Sequence, residues 1–178
     1  MKLIITGSEG NIGRKLRPAF PDAVGIDIAP GADIVADLSA IDYDAPEVKA
    51  AFEAADGLLH LATCANPDAP DAVHFQAVID AARLLDACRT YRIARVVLPS
   101  SDWADPKPLM ARINTYGHSK RVLEAMAAMY GQSSGRAVAL RFGWVPHSPQ
   151  ALEGAPDWLL ANYWDTGRLI AEVRASLG

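Results

Sequence analysis

The chain has 178 residues, 51% of them apolar and 21% charged, with a formal net charge of −4. This is the composition of a soluble globular protein of one domain's size, and its acidic balance argues against a nucleic-acid or anionic-membrane partner, both of which call for a basic face. No apolar run approaches eighteen residues and the N-terminus opens directly on a strand, so neither a membrane span nor a signal peptide is expected, and a cytoplasmic location is. Cys64 and Cys88 stand in apolar surroundings without metal-ligand spacing and read as reduced, buried thiols; no metal site is expected.

Residues 2–6 are a short apolar, β-branched run that stops at Gly7. Glycine returns at Gly10 and Gly13, and a helix is expected over 11–20. Strand, glycine turn and helix form the context of a dinucleotide-binding fingerprint, here spaced GxxGxxG in TGSEGNIG with Asn11 and Ile12 inside it. Gly7 permits the tight turn, Gly10 leaves no Cβ between backbone and pyrophosphate, and Gly13 lets the helix pack closely on the strand. The helix N-terminus offers free N–H groups to the phosphates. The second strand, 23–27, ends in Asp27, where a carboxylate accepts from both adenine-ribose hydroxyls and repels a 2′-phosphate. No Arg or Lys lies between Arg17 and Lys49, so the pattern points to NAD rather than NADP.

A third strand at 31–38 ends in Asp37-Leu38, with Asp37 either accepting from the adenine amino group or, like Ser39, capping the next segment. Residues 46–55 read as a short helix, 57–62 as a strand buried on both faces, and 63–67 as a loop at the carboxyl edge, where ligands bind in such sheets. A long helix is expected over 71–90, with Val73, Ala77, Leu84, Leu85 and Cys88 as its apolar positions. A fifth strand, 95–98, is expected to end at Pro99, followed by Ser100, Ser101, Asp102 and Trp103 at the same edge. Beyond a proline-rich loop at 105–108 come a second long helix at 115–130, a sixth strand at 137–142, an irregular loop at 143–156, and closing helices at 157–162 and 165–177. The alternation predicts an α/β fold, a Rossmann-type doubly wound parallel sheet in the order 3-2-1-4-5-6 with right-handed crossovers. Residues 1–178 are expected to form a single domain with a short helical C-terminal segment from about 151.

Tyr116 and Lys120 lie four residues apart, on one helical face. A tyrosine near pKa 10 is a poor base at neutral pH, and a neighbouring ammonium and a positive nicotinamide are expected to bring that pKa down. Lys120 can also hold the nicotinamide ribose, and Ser101 the substrate oxygen. The implied chemistry is hydride transfer from a carbinol carbon, with Tyr116 taking the hydroxyl proton. His60 reads as a packed core residue, and His74 and His118 as exposed. Arg112 reads as a solvated loop residue, with a carboxylate ligand as the alternative. Trp103, Trp144, Trp158 and Trp164 are expected to pack the closing helices; alternatively, Trp103 and Trp144 wall an apolar substrate pocket.

TGSEGNIG, Asp27, Asp37-Leu38, His60-Leu61-Ala62, Ser100-Ser101, Tyr116-x-x-x-Lys120 and Leu140-Arg141-Phe142-Gly143 occur in that order over roughly residues 1–146. Together they resemble the extended short-chain dehydrogenases/reductases, the NAD-dependent epimerase/dehydratase group. The resemblance implies a catalytic triad of Ser101, Tyr116 and Lys120. It implies a cofactor shell of Gly7, Gly10, Asn11, Ile12, Gly13, Asp27, Asp37, Leu38, Leu61, Ala62, Tyr116 and Lys120. It further implies NAD, a small-molecule substrate, and a homodimer paired through the 71–90 and 115–130 helices. Within the group the chain is most similar to uronate dehydrogenases, whose Ser-Ser-Asn-His and Arg-Ile-Gly-Ser stretches correspond to residues 100–103 and 141–144; Asp102, Trp103 and Trp144 replace polar residues that grip a sugar acid. The glutamate of the dehydratases' Thr-Asp-Glu is missing from Ser101-Asp102-Trp103, which argues against dehydration. The usual asparagine of the first long helix appears as Ala77, and the loop between Ser101 and Tyr116 is trimmed. The substrate lobe is expected to be reduced or absent. The expected function is NAD-dependent oxidation or reduction of a CH–OH or C=O group in a small substrate, sugar-derived ones included. The alternatives are an NAD-dependent epimerase of a sugar or sugar nucleotide, and a non-catalytic NAD-binding regulatory protein.

Overall fold

Leu3–Thr6 forms β1 at the middle of the sheet in the computed structural model, which describes residues 1–105 and 112–178. All four residues of β1 are buried, because helices cover both faces of the sheet. Ile4 faces one core, and Leu3 and Ile5 the other. The remaining strands are β2 (Val24–Asp27), β3 (Ile34–Val35), β4 (Gly57–His60), β5 (Arg95–Ser101) and β6 (Arg136–Phe142). All pairings are parallel and the order is β3-β2-β1-β4-β5-β6, as predicted.

The helices are α1 (Asn11–Leu16), α2 (Pro46–Ala54), α3 (Asp71–Thr90), α4 (Thr115–Ser133), α5 (Asp157–Leu160) and α6 (Thr166–Leu177). Val48 and Phe52 of α2, Leu84 and Cys88 of α3, and Leu123 and Ala127 of α4 fill the core on one face with Ile4, Leu58, Val96 and Leu98. Leu16 of α1 and Leu169, Val173 and Leu177 of α6 fill the other with Leu3, Ile5, Leu59 and Val97. The strand residues divide between the two cores by the period of two, so both faces must be apolar. Each fully buried Leu, Ile or Phe stabilises this arrangement by roughly 1.5–3 kcal/mol.

Several boundaries differ from expectation. The α-helical part of α1 stops at Leu16, because Pro18 follows and the chain tightens into a 3₁₀ turn at Arg17–Ala19. β3 is only two residues long and sits at the sheet edge. β5 runs through Pro99 to Ser101: β4 stops pairing at Leu59–Val97, and only β6 continues alongside, to Ser101–Phe142. A missing amide donor is tolerated where the sheet has become one-sided. The proline-rich loop expected at 105–108 lies, beyond Asp105, outside the described residues.

Candidate active site

Every strand of a parallel sheet delivers its C-terminal residue to the same edge, and the candidate residues gather there. Gly7 follows β1 with φ +72°, and a Cβ on it would meet the backbone N of Ala62 at 2.6 Å, so the turn lies flat on the residues after β4. Gly13 is buried against the backbone of the same turn, which brings α1 hard onto it. Gly10 is exposed and closes the turn by donating its N–H to the Gly7 carbonyl at 3.1 Å. Asn11 Nδ2 donates to the Val145 carbonyl at 2.7 Å and ties the turn to the segment after β6. Ile12 packs partly into the core beneath α1.

Asp27 ends β2 and is half-buried. Its Oδ2 accepts from the Glu9 N–H at 2.9 Å and its Oδ1 from the Ala29 N–H at 3.0 Å, which fixes the carboxylate beside the glycine turn with lone pairs to spare. A turn with room at Gly10, next to an oriented carboxylate, fits the pyrophosphate and adenine ribose of a dinucleotide. Asp37 is exposed, and its Oδ1 accepts from the Ser39 N–H at 2.8 Å, which holds its carboxyl below the usual range. It closes a turn rather than capping a helix, since α2 begins only at Pro46. The Leu38 side chain lies in the core, which leaves its main chain for any ligand contact. Leu61 and Ala62 are half-buried directly beneath Gly7.

The catalytic candidates converge from β5 and α4. Ser101, 7% exposed, is the last residue of β5. Asn114 caps α4 by accepting from the Gly117 N–H at 2.9 Å, and the first turns of that helix carry Tyr116 and Lys120 inward, 8% and 3% exposed. Ser101 neighbours the Tyr116 phenol, its Oγ donating to Asp102 Oδ1 at 3.2 Å, and Lys120 Nζ lies over the Tyr116 ring, 5.0 Å from its centroid. Sequence spacing alone missed the hydroxyl that steadies this ammonium: Lys120 Nζ donates to Thr63 Oγ1 at 3.0 Å.

The electrostatics bear on one expectation. Burial holds the Tyr116 phenol above its ordinary value, and the opposing effect of Ser101 does not overcome it. Lys120 alone does not offset that burial, where the expectation is of Lys120 and a positive nicotinamide together, and burial pushes Lys120 itself down to about 8. His60 is fully buried beneath the site, its Nδ1 2.7 Å from Thr6 Oγ1; burial and then the Lys120 charge push it down to about 3. It is the neutral core histidine expected.

His74 is not exposed as expected but 1% exposed, because its ring packs edge-on against Tyr116 at 5.5 Å. Trp103 meets the same phenol ring at 6.3 Å, so this tryptophan lines the site rather than the closing helices. Trp164 does pack the closing segment, against Phe142, while Trp158 is 61% exposed. Trp144 pairs with Tyr163. His118 and Arg112 are exposed, as expected. Cys88 is buried, but Cys64 is only half-buried, in the loop beside Lys120 and Tyr116.

A four-membered network braces the turn that carries Trp103. Ser100 Oγ donates to Glu124 Oε1 at 2.7 Å; Arg141 Nε donates to the same carboxylate at 2.7 Å and pairs with Asp105. Arg121 Nε donates to the Ala104 carbonyl at 2.5 Å. Glu124 stands one helical turn after Lys120, and Arg141 follows Leu140 in β6. Nothing local in the sequence joins them.

Residues 3–145 match the NAD dependent epimerase/dehydratase family, and the chain belongs to that family. NAD is the family's cofactor, and the turn and carboxylate described above fit it. A mutated uronate dehydrogenase is similar in structure: 28% identity, TM-score 0.65, with 80% of this chain matched to 58% of that one. A short-chain dehydrogenase/reductase superfamily protein from Agrobacterium tumefaciens, solved with bound NAD, is 25% identical with TM-score 0.66, over 80% of this chain and 49% of that one. A UDP-galactose 4-epimerase shares the fold at 24% identity and TM-score 0.64, over 80% of this chain and 56% of its own. The chain thus spans roughly half the length of these relatives. No curated protein sequence matches it. Among the described residues, no helix is long and apolar enough to cross a membrane.

Proposed function

We propose that residues 1–178 act as a single NAD-binding domain with a short helical C-terminal segment, and that the protein is a cytoplasmic NAD-dependent oxidoreductase of the short-chain dehydrogenase/reductase type. Its substrate is a small molecule, sugar-derived ones included, with a CH–OH or C=O group. The observation that carries this reading is the meeting of Ser101, Tyr116 and Lys120 beside the glycine turn, with Ser101 next to the phenol and the ammonium 5.0 Å from its ring.

Ser101 orients the substrate oxygen and Tyr116 takes the hydroxyl proton as the carbinol C–H leaves as hydride; the carbinol becomes a carbonyl. Bound NAD supplies the hydride acceptor and a positive charge close to the phenol. Lys120, anchored by Thr63, supports the phenolate and holds the ribose, a role that needs its charged form below about pH 8. Trp103 and His74, both packed against the phenol ring, hold it still and keep water from it. In this reading Gly7, Gly10, Asn11, Ile12 and Gly13 cradle the pyrophosphate, Asp27 the adenine ribose, and Asp37, Leu38, Leu61 and Ala62 complete the cofactor shell.

The protein is expected to pair with a second copy through α3 and α4, where Phe75, Ile79, Val122 and Met129 are 61, 52, 41 and 70% exposed. The function is tested by offering small alcohols, sugars and sugar acids with NAD and following NADH formation, with Tyr116→Phe as control. NADH formation that the control loses supports the reading. Turnover that survives Tyr116→Phe removes the proposed base, and inertness across the panel despite NAD binding favours the non-catalytic alternative.

A further inference from the structure

Glu9 plays no part in the chemistry above, yet its placement beside the adenine-ribose end of the site is specific. It sits inside the glycine turn, and its peptide N–H is the donor that anchors Asp27 at 2.9 Å. The turn and the acid of β2 therefore move as one unit. The Glu9 side chain, 22% exposed, reaches across to the connection between β2 and β3: its Oε2 stands 3.8 Å from where a Cβ on Gly31 would lie. Asp27 ends β2 and the Glu9 carboxylate reaches the connection that follows it, so two carboxylates serve this end of the strand. The nearby guanidiniums are both engaged by the protein. Arg14 Nε donates to the Glu9 carbonyl at 2.5 Å and lies 3.9 Å from Glu9 Oε2. Arg17 pairs with Asp33 at 2.5 Å and reaches the Ala23 carbonyl at 3.3 Å.

We infer that Glu9 is a second determinant of dinucleotide choice: it acts with Asp27 to reject a 2′-phosphate and offsets the Arg14 charge that would attract one. A ribose held by Asp27 through its hydroxyls would carry its 2′ position to the end of β2 that these carboxylates serve. A 2′-phosphate there meets like charge in a partly screened setting, so the discrimination weakens with added salt. Removing the Glu9 charge takes away its share of that opposition. It also leaves the Arg14 guanidinium, still tied to the Glu9 main-chain carbonyl, without the counter-charge 3.9 Å away. The inference rests on the NAD reading of the turn.

The test is calorimetric titration of wild type, Glu9→Gln and Glu9→Gln/Arg14→Ala with NAD and with NADP. The peptide N–H that anchors Asp27 is unchanged in both variants. In Glu9→Gln the affinity for NADP relative to NAD is expected to rise about tenfold at low ionic strength. NAD itself stays within about twofold, and the double variant loses much of the gain. An unmoved ratio in Glu9→Gln, with NAD still bound, overturns the inference and leaves the NAD reading standing. An equal loss of both dinucleotides also overturns it and makes Glu9 a prop of the turn. Binding of neither dinucleotide by wild type sinks the NAD reading, and the inference with it.

Discussion

The two ends of the site are built by different means. Around the glycine turn the contacts are mostly main chain: Gly10 N–H to Gly7 carbonyl, Glu9 N–H to Asp27, Gly7 pressed on the backbone of Ala62. Around Tyr116 they are side chain: Ser101 to the phenol, Lys120 to Thr63, His74 and Trp103 against the ring, and Ser100, Glu124, Arg141 and Asp105 behind it. The first region needs a backbone shape, which only particular residues permit. The second needs chemical groups brought from the loop after β4 and from α3, β5 and the turn after it, α4 and β6. Substitutions should therefore break the first by bulk and the second by loss of a functional atom.

The largest separation is expected for Tyr116→Phe. The ring that His74 and Trp103 hold is kept, so stability and NAD affinity change little, while loss of the acid–base hydroxyl lowers turnover by roughly 10²–10⁴-fold. NAD calorimetry alongside NADH formation checks both arms. If NAD binding falls with turnover, the two regions are not separable.

Gly7→Ala is the converse. A residue with a Cβ at φ +72° is strained by about 1–3 kcal/mol, and contact with the backbone of Leu61 and Ala62 adds to this. A melting temperature lowered by several degrees is expected, with NAD binding lost. A variant that melts like wild type and binds NAD shows that the turn tolerates bulk.

This division also explains what could be read in the sequence. The glycine turn and Asp27 lie within the first 27 residues, and each needs only its neighbours, so spacing was enough to place them. Tyr116 and Lys120 were legible because four residues make one helical turn. The roles of Thr63, Glu124 and Arg141 were not, although Arg141 stands within one of the motifs, since they arise from partners 17 to 57 positions away. His74 was placed on the wrong side for the same reason: Tyr116, 42 positions later, covers it. Of the apolar positions read in α3, Leu84, Leu85 and Cys88 are buried, but Val73 is 42% exposed while His74, Asp80 and Ala81 face in. Pro99 was read as the end of β5 because proline forfeits a ladder bond, but β4 has already stopped pairing there.

The outward apolar residues of α3 and α4 give an intermediate effect. Phe75→Asp with Met129→Asp places charge on the face proposed to pair with a second copy, where a buried unpaired carboxylate costs several kcal/mol. Light scattering during gel filtration should find a dimer for wild type and a monomer for the variant, with little change in NAD affinity. A wild-type monomer refutes the pairing.

The smallest effect is expected at the brace behind Tyr116, and its pH dependence is what identifies it. Arg141 first, and Ser100 in support, hold the Glu124 carboxyl below its ordinary value of 4.5, against the opposing effect of burial. A depressed carboxyl contributes stability that is complete above the ordinary value and is lost as pH falls through the folded one. The Glu124 side chain is 29% and Arg141 41% exposed, so the pair is partly screened and Glu124→Gln should cost no more than about 1 kcal/mol at pH 7, a few degrees of melting temperature. The gap between wild type and variant should then close on acidification, since the protonated wild type resembles the amide. Parallel melting curves from neutral to acid pH would mean that Glu124 contributes through shape alone. A gap that closes together with a drop in turnover at neutral pH, but none in NAD affinity, ties the brace to the side-chain-built end of the site.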